Sequence, residues 1–157
     1  MRAAEASAPC RADLAGGTLD IWPLGILHPG ALTVNVPLPV GVELEVDDGG
    51  RAGEVLHRVG RGDWRRLRPV DAAVDLTAAV VLALRPEGGV RVTVRSQPPV
   101  GSGLGGSSTF GVALSAAVAV VSGLCLEEAR LVALVRDLEA KVLGVRTGAR
   151  DHWPAVG

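Results

Sequence analysis

Four glycines and three serines crowd into GSGLGGSS, Gly101 to Ser108, directly ahead of the apolar run Thr109 to Val121. Gly101, Gly103, Gly105 and Gly106 open backbone conformations closed to other residues. Lacking Cβ atoms, they also let backbone N–H groups approach a ligand closely. Ser102 and Leu104 sit between them. A helix beginning behind such a loop presents unpaired N–H groups and the positive end of its dipole. Together these features suit an anion, phosphate above all. Ser107 and Ser108 add hydroxyls at the helix start, one able to cap the helix and the other able to meet a metal ion or a phosphate oxygen. A plain turn with a helix cap has the same composition, so the residues alone leave both readings open. No lysine follows as in a P-loop, and no acid stands where a dinucleotide fold would place one.

Strands and helices must alternate to hold this loop. Thr33 to Leu38 and Gly41 to Val46 are bounded by Pro, Gly and the DDGG run, and predict two strands paired as in a hairpin. Ala52 to Gly60 is a weaker strand, followed by a loop through Arg61 to Pro69. Asp71 is the expected N-cap of a helix that ends at Pro86. Gly89 to Ser96 alternates Val with Arg and Thr, the period of a strand with one buried face. The loop and its helix come next. Leu126 to Gly144 then carries Leu and Val at helical spacing, acids at its start and a glycine stop. Strands first and helices later, with a strand feeding the loop helix, predict an α+β sandwich rather than a doubly wound sheet.

Composition bounds the function. A chain of 157 residues, 48% hydrophobic with net charge −1, suits one folded domain. No basic block or acidic tail is present, which argues against nucleic acid, and the Arg65, Arg66, Arg68 cluster is expected to be a solvated loop. Cys10 and Cys125 lie far apart with no partner at metal-ligand spacing, which fits a reducing compartment. The N-terminus has no apolar stretch of signal-peptide length, and the apolar segments are too short for a membrane span. A cytoplasmic protein without a membrane partner is expected.

The segment PPVGSGLGGSS, Pro98 to Ser108, resembles the ATP-binding motif of the GHMP kinases (galactokinase, homoserine kinase, mevalonate kinase and phosphomevalonate kinase). Two further segments agree in the family's order. Ala8 to Asp20, APCRADLAGGTLD, is similar to its N-terminal substrate motif, in the version of heptose-phosphate kinases and fucokinases. Val142 to Gly157, VLGVRTGARDHWPAVG, is similar to the segment bearing the family's catalytic aspartate. The resemblance implies a ribosomal-protein-S5-domain-2-like two-layer sandwich over residues 1–157, the N-terminal ATP-binding domain of a kinase whose C-terminal domain is absent from this chain.

It also implies roles. Gly101, Ser102, Gly103, Leu104, Gly105, Gly106, Ser107 and Ser108 would wrap the triphosphate of ATP, with Ser107 as the Mg²⁺ partner. Asp20, with Gly16 and Gly17 of the Gly-Gly-x-x-Asp motif, would meet substrate hydroxyls. Arg11 would lie near the transferring phosphate, and Asp151 would take the hydroxyl proton. Read singly, Asp20 could be a turn residue, Arg11 a surface charge and Asp151 a helix cap. The implied function is phosphoryl transfer from ATP to a hydroxyl of a heptose phosphate or fucose-like sugar. The rivals are an isoprenoid or amino-alcohol kinase and a non-catalytic fragment that keeps nucleotide binding or serves as an interaction module.

Other residues fit less well. His28 matches a family histidine whose acidic neighbours are here Ile26 and Leu27. His57 and His152 show no metal spacing, and each is expected at the surface or in a hydrogen bond. Trp22 is a half-buried loop aromatic or a wall for a sugar. Arg150 stands where Gln or Met is common before the aspartate, which bears on that residue's ionisation or on the substrate's charge. Without a second domain, the helices Asp71 to Leu84 and Leu126 to Leu143 are expected to leave apolar faces in water or to cover them in a homodimer.

Overall fold

The computed structural model describes residues 1–17, 19–84, 88–144 and 146–156. In chain order it has β1 (Ala3–Ala15), α1 (Leu24–Leu27), β2 (Val34–Gly50), β3 (Val55–Val59), β4 (Arg65–Leu67), a 3-10 turn (Pro69–Ala73), α2 (Leu76–Leu84), β5 (Gly89–Ser96), α3 (Gly106–Ser122), α4 (Glu128–Leu143) and a second 3-10 turn (Trp153–Ala155). The strands form one sheet in the order β1-β2-β5-β3-β4, with β3 and β5 parallel and the other pairs antiparallel.

Alternation in β5 builds both faces of this sheet. Val90, Val92 and Val94 are fully buried, each stabilising the core by roughly 1.5–3 kcal/mol. Arg91 and Arg95 turn the other way and pair with Asp47, Glu5 and Glu45, so the outer face is a lattice of charges. On the inner face α3 packs its Leu114 and Val118 against β1 and β2, flanked by α2 and α4. The result is the expected two-layer α+β sandwich. No helix of the described residues is long and apolar enough to cross a membrane.

Several local expectations are corrected. The two segments read as a hairpin are one continuous strand, β2. Pro37 and Pro39 are tolerated because β5 pairs with β2 only from Glu43 onward, leaving one side of the earlier stretch free of a ladder. The loop through Arg61 to Pro69 contains β4, which pairs with β3, although Arg65, Arg66 and Arg68 stay largely solvated. Asp71 does not cap the helix: its Oδ2 accepts the Arg68 N–H at 2.7 Å inside the 3-10 turn, and Asp75 Oδ1 accepts the Ala78 N–H at 3.1 Å at the start of α2. Pro86 lies outside the described residues. The apolar faces of the two helical spans are only partly left in water: Val74, Leu82 and Leu143 stay exposed. Val80, Val81, Leu84, Leu131, Val132 and Val135 are buried within the chain because both helices pack on α3.

A bulge in the β1–β2 ladder sets up the site. Pro9 pairs with Gly41, yet Arg11 pairs with Pro37, so Leu38, Pro39 and Val40 face a single residue, Cys10. Bulges re-aim side chains. Here Cys10 and Arg11 are both buried in succession, and the Arg11 side chain is delivered toward the loop ahead of α3.

Candidate active site

The chain leaves β5 through Pro98 and Pro99 and turns through Gly101, Gly103 and Gly105, whose φ angles are 80°, 74° and 70°. Gly105 is the N-cap of α3 in a left-handed conformation, and no side chain caps the helix. The serines therefore do other things. Ser108 is buried and donates its hydroxyl to Glu139 Oε2 at 2.7 Å, while Ser107 stays exposed at the loop surface. The 17-residue α3 thus opens with free backbone N–H groups into a cavity of ≈ 450 Å³ walled by the loop, Phe110, Glu139, Leu143 and Asp151.

Arg11 fastens this loop. Its backbone N–H reaches Leu104 O at 3.3 Å and its Nη1 reaches Gly103 O at 3.2 Å. Its Nε and Nη2 donate to Asp151 Oδ1 at 3.0 and 2.6 Å, and Asp13 lies 3.3 Å from Nε. At 5% exposure Arg11 is no surface charge. Arg150 Nε also donates to Asp151 Oδ1, at 2.9 Å. These guanidinium bonds all fall on Oδ1, which leaves Oδ2 to accept something else. Asp151 is not a helix cap either, since the following 3-10 turn has His152 at its N-cap.

Asp20 is brought to the same place by the 146–151 segment. Its Oδ2 accepts the Arg150 N–H at 2.9 Å, and its carboxylate occupies the space that a Cβ on Gly148 would need. A second cavity of ≈ 210 Å³ lies here, lined by Asp20, Arg146, Gly148, Arg150 and Asp151 among others. Gly16 and Gly17 stand at the end of β1 and line neither cavity. A Cβ at Gly16 would strike Leu32 O, so that glycine serves a close crossing of the chain. Trp22 is 59% exposed, more than half-buried packing would allow, and Arg146 stacks over its ring at 4.2 Å. His28 is exposed beside a shallower hollow that also touches Asp20. Thr18 of the same motif lies outside the described residues.

Two site residues were not anticipated from sequence. Glu139 is 4% exposed on α4, and His152 is fully buried with Nε2 2.9 Å from Glu139 Oε2. That contact is off the direction of a straight hydrogen bond, and Nδ1 has no partner among the described residues. Burial would raise the Glu139 pKa, but the Ser108 hydroxyl bond and the polar neighbours His152 and Ser107 outweigh it and hold the group below its ordinary value. A signal existed for Glu139: it continues the stripe Leu131, Val135 at intervals of four, an acid on an apolar face. Among the described residues no three His, Cys, Asp or Glu side chains gather as a metal cluster. A buried carboxylate beside serine hydroxyls, facing a phosphate-sized cradle, is the sparse protein donor set that suits Mg²⁺ completed by phosphate oxygens.

The two cavities share Ser108, Glu139, Leu143 and Asp151, so the loop side and the Asp20 side open onto one wall. Comparison with known proteins adds the following. The family model for the GHMP kinases N terminal domain matches residues 71–156. The galactokinase of Thermotoga maritima is 26% identical over 98 residues, covering 60% of this chain and 28% of that protein. Among solved structures, a D-glycero-D-manno-heptose 1-phosphate kinase from Bacteriodes thetaiotaomicron superposes with a TM-score of 0.75 at 22% identity, over 97% of this chain and 52% of that one. A galactose complex of Lactococcus lactis galactokinase gives 0.81 at 14% identity, over 98% and 41%. Methanococcus jannaschii mevalonate kinase gives 0.72 at 14% identity, over 96% and 50%. The chain spans about half or less of each of these proteins, and the structural likenesses carry the fold alone.

Proposed function

This chain belongs to the GHMP kinase family through its N-terminal domain, and from that we propose that it binds ATP with Mg²⁺ and directs the γ-phosphoryl group to a hydroxyl of a sugar or sugar phosphate. The observation that carries the reading is the shared wall: a glycine cradle at a helix N-terminus on one side, Asp20 on the other, and Asp151 between them. MgATP, when bound, supplies the phosphoryl group and charge compensation for its transfer. Gly101 to Gly106 hold the phosphates through backbone N–H groups at the positive end of α3. Ser107 and Glu139 are the protein donors assigned to the metal, and Ser108 fixes the Glu139 carboxylate.

On the acceptor side, Asp20 receives a hydrogen bond from a sugar hydroxyl through the oxygen not taken by Arg150 N–H. Asp151 Oδ2 receives the proton of the attacking hydroxyl, while Arg11 and Arg150 hold Oδ1 and fix the carboxylate plane. Arg11 acts through positioning, because its nitrogens are engaged by Asp151, Asp13 and the loop carbonyl of Gly103. The acceptor we assign is a heptose phosphate or a fucose-like sugar, which the Gly16–Gly17 to Asp20 motif supports. Both cysteines are free, Cys10 buried and Cys125 exposed, which suits a reducing cytoplasmic setting.

The test is calorimetry of ATP with and without Mg²⁺, followed by ADP release with heptose phosphates, fucose, galactose and mevalonate. Metal-dependent nucleotide binding that Ser107→Ala weakens is the expected result. Where turnover is seen, Asp151→Asn should lower kcat and Asp20→Ala should mainly raise KM. A folded chain with no affinity for ATP would overturn the reading.

A further inference from the structure

We propose that the cavity beside Asp151 receives an oxyanion carried by the acceptor, gripped by Arg146 and Arg150. The proposal rests on the acceptor reading above and names the chemistry of the group that this side recognises. Arg146 sits over Trp22 with its Cζ 4.2 Å from the ring centroid, and its Nη1 donates to Trp22 O at 3.3 Å. Among the described residues it forms no ion pair. Stacking fixes the plane of a guanidinium while leaving its edge free to donate. Arg150 is held differently. Its Nε is held by Asp151 Oδ1 at 2.9 Å with Asp13 Oδ2 3.8 Å away, its side chain is 16% exposed, and only its Nη1 is buried without a hydrogen-bond partner among the described residues.

Arg146 and Arg150 line the same ≈ 210 Å³ cavity as Asp20 and Asp151. A guanidinium is donor-only, so two of them ask for acceptors. The aspartates already provide acceptors for sugar hydroxyls, and a neutral sugar would leave the arginine edges without the anion that matches their fork geometry. Arg146 is solvated at its edge, whereas the buried, unpaired Arg150 Nη1 carries a cost that a ligand acceptor relieves. A phosphate monoester has oxygens enough to engage both arginines; a carboxylate offers the same chemistry with fewer. Discrimination against a neutral analogue follows from the buried Arg150 donor that it would strand, with Arg146 adding charge and fork geometry from the solvent side.

The experiment follows the arginine Nε–Hε resonances of the chain in saturating ADP and Mg²⁺, which keeps the glycine loop occupied. Inorganic phosphate, acetate and neutral galactose are titrated separately. Phosphate should shift the Arg146 and Arg150 signals saturably, and galactose should not. Arg146→Gln and Arg150→Gln should each weaken phosphate about tenfold or more, while Arg146→Lys, which keeps charge without the fork, recovers only part. Folding of each variant is read from the buried Val92 and Val94 amides. Acetate binding tighter than phosphate keeps the oxyanion site and assigns it to a carboxylate acceptor. Galactose binding as well as phosphate, phosphate binding that the substitutions leave unchanged, or no shift at either arginine would overturn the proposal. So would an Arg150→Gln variant that loses ATP but not phosphate, which would place the arginine on the nucleotide. Loss of ADP binding with an intact phosphate response would sink the kinase reading and leave this one standing.

Discussion

Gly148 shows how single residues hold this site together. Asp20 reaches the 146–151 segment only because position 148 carries no side chain, and a Cβ there would meet the Asp20 carboxylate. Gly148→Ala should therefore push Asp20 off the Arg150 N–H, with an overpacking cost of roughly 1–3 kcal/mol. A raised acceptor KM with an unchanged ATP affinity, read by calorimetry, is the expected pattern; equal loss on both would show that Asp20 does not separate the two sides. The Glu139–His152 contact makes a complementary case. Replacing His152 by Leu removes a polar neighbour from a buried carboxylate and should destabilise the fold by about 1–3 kcal/mol. His152→Gln keeps an N–H donor within reach and should recover most of that loss in thermal melts. If Gln and Leu proved equally harmful, packing rather than the polar contact would be what matters. None of this pairing was visible from residue types, because the contact joins α4 to a turn across the fold.

At the scale of elements, legibility tracks the contrast between neighbouring residues. β5 and α4 were plain in the sequence because Val against Arg, and Leu against acids, mark a buried face. β1 was not anticipated at all: its alternating partners include Ala4, Ala6 and Ala8, small residues that give almost no pattern, and it is held as a strand by pairing with β2. The β1–β2 bulge that delivers Arg11 is likewise a property of two strands and of neither alone. The start of α2 is a sharper lesson. Asp71 and Asp75 are both plausible caps, and the intervening 3-10 turn moves the true one four residues on. Asp75→Ala should cost about 1 kcal/mol, more if its pairing with Arg65 contributes. Asp71→Ala, which loses bonds within an exposed turn, should cost less in the same denaturant series. The reverse order would restore the sequence expectation. The loop itself was the most readable part of the site, since glycines at positive φ are what its turns require.

For the molecule as a whole, acid is the stress that the structure meets worst. His57 on β3 is half-buried beneath β4 and α3: its Nε2 has no partner, its Nδ1 lies 3.4 Å from Arg65 Nη2, and Phe110 is 6.4 Å away between centroids. Burial lowers its pKa, the Arg65 charge lowers it further, and Asp75 offsets part of the effect. The folded state therefore prefers the neutral ring. As pH falls through about 6.5, the ordinary value for histidine, the unfolded chain gains a proton that the folded chain resists, so stability drops. Glu139 adds to this at lower pH. Its folded pKa lies below the ordinary carboxylate value, so its contribution is present above that value and is lost as pH falls through the folded one. Both slopes have the same sign. Thermal midpoints should hold near neutrality, begin to decline through His57 as pH falls below about 6.5, and fall more steeply where carboxylates protonate. His57→Gln, neutral across this range, should flatten the first decline without touching the second. A variant curve parallel to that of the wild type from neutral to acid would mean that His57 is not the group being titrated.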